Sequence, residues 1–272
     1  FYASSDRPAM KTLLLESDRY PWALERLEAE GLPHAWGIQD LQRWPDRSRM
    51  FVAEDSSPLG FSYLLVSGHP ASRGSSTVIL GGSSASVAGL LEAHLPEPPV
   101  TIRETPASLL PTIRAHLPAA SVYLQQRMEV SRSTFAPCAA EGCRRLTVDD
   151  APALAKFRDL PPRAAEGQRH WIRGAFVMGA FEGDELLATA STMVQTSGAW
   201  VLVAVETRSE RRGEGFGSKV TSALTAAGLA EVPAVSLTVR QDNPAAIRVY
   251  EKLGFARRED RIWVDHGAGS AP

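Results

Sequence analysis

The chain has 272 residues, 44% of them apolar, which is enough for a substantial core and for more than one average domain. A formal net charge of −2 excludes the global basic balance expected of a partner for nucleic acid or an anionic membrane. The basic residues are 25 Arg and 4 Lys, spread along the chain rather than clustered.

No apolar stretch approaches the ~20 residues of a membrane span, and no signal peptide opens the chain. A soluble, cytoplasmic protein is expected, with partners that are neither nucleic acid nor membrane. The opening "FYASSDRPAM" reads as an extraneous or frayed start. Cys138 and Cys143 have no His near them to complete the roughly four ligands of a metal site. Two free thiols and no metal are therefore expected, although a disulfide is geometrically possible.

In chain order, "YPWALERLEAEGL" has the spacing of an amphipathic helix, and "RMFVAED" and "LGFSYLLVS" form a hairpin around "SSPLG". "SSTVILGG" reads as a strand, "SSASVAGLLEAHL" as a helix, "VTIRET" as a strand, "PASLLPTIRAHL" as a helix and "SVYLQQRMEV" as a strand. The small, polar stretch at 131–143 reads as a linker. Beyond it, "RRLTVDDAPALAKFRDL" gives a short strand and a helix capped by Asp149 or Asp150, with Pro152 in its first turn. "GAFVMGAF" and "ELLATASTMV" are strands joined by the turn Glu182-Gly183-Asp184. "LPPRAAEGQRHWIRG" (160–174), before them, reads as a surface loop anchored by Trp171, with His170 and Trp171 as alternative pocket residues. "AWVLVAVET" is a nearly continuous apolar strand, which implies burial on both faces. After a glycine-dense turn, Val220, Leu224 and Ala227 recur at helical spacing, and "AVSLTVR" alternates as a strand. In "DNPAAIRVYEKLGF", Asn243 is the N-cap, Pro244 the first helical residue and Gly254 the stop, and "RIWVDH" is a last strand. Two halves with similar element order, 1–135 and 136–272, imply an internal structural repeat.

The turn "RRGEGFGSKV" carries the chemistry. A strand that ends in a glycine-dense turn and runs straight into a helix aims free backbone N–H groups and a helix dipole at one point. Gly213, Gly215 and Gly217 remove the Cβ atoms that would keep a phosphate off the backbone, and Arg211 and Arg212 add charge. An unliganded glycine turn is the plain alternative. A P-loop is excluded because Ser218 precedes Lys219 where Gly is required, and the dinucleotide fingerprint fails because its third glycine position is Ser218 or Val220.

Arg212-x-x-Gly215-x-Gly217 after an apolar strand, followed by Asn243-x-x-Ala246-x-x-x-Tyr250-Glu251-Lys252-Leu253-Gly254-Phe255, resembles the GCN5-related N-acetyltransferase family. The detailed resemblance covers roughly 144–260. It implies two tandem α/β domains of that type, each with a mixed, mostly antiparallel central sheet flanked by helices. It also implies acetyl-CoA as acyl donor and a small-molecule or protein amine as acceptor, in a monomer or homodimer. The cofactor would meet Val205 and Thr207 on the strand, then Arg212, Gly213, Glu214, Gly215, Phe216, Gly217 and Ser218, and then Asn243, which is equally a helix cap. Tyr250 would be the acid that protonates the departing thiolate, or else a core tyrosine. Where some family members carry a Glu this chain has Thr238 or Val201, which leaves Glu206 as the nearest candidate base, or as an exposed strand-end carboxylate. Those absences also motivate a second reading, a CoA-binding sensor without catalysis. In the first half, "ILGGSSASVAGLLE" stands at the corresponding place without the Arg or the Asn…Tyr partner, and no cofactor is expected there.

Overall fold

The computed structural model describes residues 11–69 and 75–267; the opening "FYASSDRPAM" lies outside them. The described chain divides into two compact units, one of residues 11–30, 36–124 and 260–267, the other of 31–35 and 125–259.

The first unit contains β1 (Thr12–Leu15), α1 (Tyr20–Glu30), α2 (Ala35–Arg43), β2 (Arg49–Glu54), β3 (Phe61–Val66), β4 (Ser76–Gly81), α3 (Ser84–His94), β5 (Val100–Pro106) and α4 (Leu110–His116). Strands β1 to β4 form an antiparallel meander, and β5 joins β4 in parallel after the α3 crossover. The sheet has an apolar layer on each face. Ile38 and Leu41 of α2 pack with Leu65 and Ile79 on one, while Leu90 of α3 and Ile113 of α4 pack with Leu80 and Ile102 on the other.

The second unit contains β6 (Ser121–Ser131), β7 (Cys143–Arg145), α5 (Ala151–Phe157), α6 (Ala165–Gly174), β8 (Phe176–Glu182), β9 (Glu185–Gln195), β10 (Ala199–Thr207), α7 (Phe216–Glu231), β11 (Ala234–Arg240), α8 (Pro244–Lys252) and the start of β12 (Ala256–His266). Its sheet runs β6-β11-β10-β9-β8-β7, and only β10 and β11 are parallel. Helices α7 and α8 cover one face through Val220, Leu224 and Tyr250, while α5 and α6 cover the other through Leu154 and Ile172. Helix α7 lies close to the sheet because residue 228 is glycine; a Cβ there would meet Val235 at 2.8 Å and the Trp200 ring at 3.1 Å. The fold is α/β, two units of related topology, as the sequence implied.

The division differs from the 135/136 boundary read from the sequence, because strand pairing decides membership. Residues 125–131 of β6 pair with β11 in the second unit, and residues 261–266 of β12 pair with β5 in the first. The stretch read as a linker is a packed connection inside the second unit: Ala136 N–H donates to Leu253 O (3.1 Å) and Cys138 N–H to Ser222 Oγ (3.1 Å). The stretch read as a surface loop contains helix α6. Pro161, Pro162, Gly167 and Gly174 mask a helical face that buries Gln168 and Ile172. Elements β1 and α2 have no counterpart among the elements expected from the sequence.

Both cysteines are free thiols. Among the described residues no group of three or more His, Cys, Asp or Glu is placed to hold a metal ion, and no helix is long and apolar enough to cross a membrane.

Asp40 on α2 is 1% exposed, and burial pushes its carboxyl up to about 7, the Ser67 hydroxyl offsetting little of that. In the unfolded chain the group titrates near ~4. The folded state therefore keeps a proton that the unfolded chain has already released. Its contribution is complete below the unfolded pKa and is lost as pH rises toward 7. Asp40→Asn is expected to flatten the fall of Tm between pH 4 and 7 relative to the parent; parallel curves in thermal melts would contradict this.

Candidate functional site

Strand β10 begins as expected, with Ala199 to Leu202 buried, but residues 203–207 are only half-buried. The change follows from the pairing. On one side β10 pairs with β11 only from Ala199 to Leu202, which leaves that edge open further along. On the other side Val203 faces Ser191 and Glu206 faces Thr189, so β10 bulges between them. Within the bulge Ala204 has φ 49°, a left-handed conformation that costs a non-glycine residue about 1–3 kcal/mol. Such strain is retained where the backbone must be re-aimed.

Beyond the bulge the chain turns through Gly213 and Gly215, at φ 87° and 88°, into α7. The first rung of that helix is Lys219 N–H to Gly215 O (3.0 Å), so the N–H groups of Phe216, Gly217 and Ser218 lie outside the ladder. A Cβ on Gly213 or Gly215 would meet nothing within 4 Å and would project into open space, while one on Gly217 would come within 3.1 Å of Thr207 Oγ1. These are the marks of a cradle shaped for an anion close to the backbone.

The cradle opens into a cavity of about 700 Å³ that gathers nearly every residue singled out in the sequence. Val205, Glu206 and Thr207 come from β10; Arg212, Gly213, Gly215, Phe216, Gly217 and Ser218 from the loop and the start of α7; Asn243 and Tyr250 from α8. Glu214 is not part of the lining. Its carboxylate accepts from Arg211, which also binds Glu182 (3.1 Å), so the charge expected from Arg211 is already compensated. Arg212 makes no ion pair among the described residues, nor does Lys252, a lining residue the sequence reading missed. Helical spacing places Lys252 with Ala245 and Val249 on the cavity side of α8 and is the signal that could have found it.

Asn243 caps α8, its Oδ1 accepting from Ala246 N–H at 3.1 Å. Gly254 ends the helix, where a Cβ would collide with Thr134 O. Between these ends Tyr250 is held 7% exposed, its ring 6.0 Å from that of Phe255. Its hydroxyl has no hydrogen-bond partner among the described residues, and burial pushes the phenol up to about 12. Glu206, 39% exposed, is forked by Arg158: Nε donates to Oε2 at 3.1 Å and Nη2 to Oε1 at 3.3 Å. Arg158 also donates to Gln168 Oε1 (3.0 Å) and lies 5.4 Å from the Trp171 ring centroid. His170 is exposed on α6.

The first unit has the same strand–turn–helix–parallel strand arrangement at β4, Gly81-Gly82, α3 and β5. There the helix start is filled from within. Asp55 accepts from Ser57 N–H (2.9 Å), Ser83 Oγ (3.0 Å) and Ser62 Oγ, and Ser83 is the N-cap of α3. Burial alone would push the Asp55 carboxyl up, but the Ser57, Ser62 and Ser86 donors outweigh it and hold it well below the usual range. A Cβ at Gly82 would collide with Ser62, and the open edge of β4 is capped where Leu80 N–H donates to Thr105 Oγ1 at 3.4 Å.

Residues 177–264 match the family model described as FR47-like protein. A search of the curated proteins found no match. Among solved structures the chain is similar to a Drosophila protein from a structural genomics consortium (TM-score 0.70, 14% identity, 94% of this chain and 98% of that one). It is also similar to a GNAT-family acetyltransferase from Colwellia psychrerythraea (0.60, 14%, 94% and 98%). A tandem GNAT protein of the clavulanic acid biosynthesis pathway, solved without AcCoA, covers it almost entirely (0.59, 15%, 97% and 100%). The fold is that of the GCN5-related N-acetyltransferases. Within the acetyltransferase fold, the family-model match lies between β8 and β12 and so includes the bulged strand, the cradle and Tyr250.

Proposed function

We propose that the second unit binds an acyl-CoA, acetyl-CoA in the simplest case, and transfers its acyl group to a primary amine in the cytoplasm. The observation that carries this reading is the 213–218 cradle opening beside the unpaired edge of β10, with Tyr250 in the same cavity. Bound there, an acyl-CoA supplies an activated thioester carbonyl. The N–H groups of the loop, together with Arg212 and Lys252, hold its diphosphate. The free edge at Val205 and Thr207 pairs with the amides of its pantetheine arm, and an N–H of the bulged strand donates to the carbonyl oxygen. Asn243 keeps its amide N–H₂ for the ligand while its oxygen caps α8. Tyr250 Oη holds a proton for the departing sulfur. The Arg158 fork leaves one lone pair on each Glu206 oxygen to receive an N–H of the amine.

One cofactor per chain is the corollary, because Asp55 already fills the equivalent helix start of the first unit. Calorimetry with CoA is expected to give a stoichiometry of one. Thermal melts are expected to show stabilisation of about 2.7 kcal/mol at a hundred times Kd. No heat and no shift would remove the reading. A panel of small-molecule and peptide amines with acetyl-CoA, followed by free thiol release, then identifies the acceptor.

A binding module without turnover is the second reading. It is favoured by Thr238 and Val201, where some members of the resembling family carry carboxylates, and by the Arg158 fork on Glu206. CoA binding without thiol release across the panel would select it.

A further inference from the structure

Among the arginines of the first unit that make no ion pair with the described residues are Arg43 at the end of α2, Arg47 in the α2–β2 connection and Arg103 on β5. Unpaired arginines occur elsewhere in this chain. These three differ because they gather around one side chain.

Gly68 packs so tightly on Arg47 that a Cβ would lie 2.8 Å from its carbonyl carbon, which sets the following residue, His69, beside it. The Trp44 ring meets His69 edge-on with centroids 4.5 Å apart, and the Arg43 guanidinium lies 5.7 Å from the Trp44 centroid. Arg103 approaches from the sheet. Leu65 faces Ile79 and Ile79 faces Arg103, so all three share the face on which α2 packs. The Arg103 guanidinium sits 4.9 Å over the Trp263 ring, and its Nε is buried with no hydrogen-bond partner.

The His69 imidazole reports the result. Burial first, then the charges of Arg43, Arg103 and Arg47, push it down to about 4. The acids nearby on the same elements do not cancel that field by pairing with the arginines. Asp40 is buried, which keeps it mostly protonated below about pH 7, Asp46 is exposed, Glu104 accepts from Trp263 Nε1 (3.3 Å), and Asp265 lies on β12 together with the buried Arg261.

We infer that Arg43, Arg47 and Arg103, together with the neighbouring His69, form an anion site in the first unit that takes a phosphate-class anion. A guanidinium presents planar, paired donors that match phosphate oxygens, and three such cations favour a group with several charged oxygens over a single carboxylate. Trp263 beneath Arg103 and Trp44 beside His69 fix the orientation of two of the groups. Binding partly offsets the guanidinium charges at His69, so the imidazole holds its proton to a higher pH when the anion is present. The inference is independent of the acyl-CoA reading.

The test is NMR of the histidine ring C–H signals in the full chain, titrated with inorganic phosphate at pH 5.5 and constant ionic strength, with His69→Gln assigning the signal. The His69 signal is expected to move saturably, and its titration midpoint to rise with phosphate. The double variant Arg43→Gln/Arg47→Gln, both at exposed positions, is expected to weaken the response at least about tenfold. Arg212→Gln, in the second unit, is expected to leave it unchanged, which separates this site from phosphate entering the 213–218 cradle. A His69 signal that moves no more with phosphate than with sodium chloride overturns the site. So does a double variant that responds like the parent.

Discussion

Tyr250→Phe is expected to lower kcat about 10²- to 10⁴-fold, the range for loss of a positioned general acid, while CoA affinity stays close to that of the parent. The substitution is unusually clean here. The phenylalanine ring keeps the contact with Phe255, and the hydroxyl it removes has no partner among the described residues. Burial pushes the phenol up to about 12, so its proton stays in place until pH passes that value. The variant should therefore scale the whole pH profile of kcat downward without moving either limb. Steady-state rates from pH 6 to 10, with calorimetry of CoA on both proteins, provide the check. Weakened CoA binding with turnover intact would make Tyr250 a wall of the cavity and leave the acid unassigned.

Gly215→Val is expected to weaken CoA binding by at least about a hundredfold. The valine side chain occupies the open space at the start of α7 that the diphosphate needs; a β-branched residue at φ 88° is also strained by about 1–3 kcal/mol, which lowers stability rather than affinity. The hairpin turn between β8 and β9 offers the control. Gly183 also has a positive φ, 57°, and a Cβ there would meet nothing within 4 Å, but it lies outside the cavity lining. Gly183→Val should cost stability of the same order and leave affinity unchanged. Equal loss of affinity in the two variants would assign the effect to general destabilisation.

The parts of the site that are legible in the sequence are those written over short distances. The apolar strand, the glycine turn, the Asn243-Pro244 helix start and the Tyr250 spacing are local patterns with local physical causes, and the cavity gathers them. What cannot be read is written across the chain. The fork from Arg158 to Glu206 spans 48 positions, and the Asp55 carboxylate meets hydroxyls from Ser62 and Ser83 that only the fold brings together. Helix α6 is hidden for a different reason, because its prolines and glycines speak against the helix that its burial pattern supports. The bulge at Ala204 leaves no mark, since alanine carries no preference for a left-handed backbone.

The pairing of residues 261–266 with β5 has a consequence for synthesis on the ribosome. The unit that is translated first cannot complete its sheet until a segment made more than 150 positions later clears the exit tunnel. Until then the backbone groups along that edge of β5 lack the partner strand that satisfies them in the finished protein.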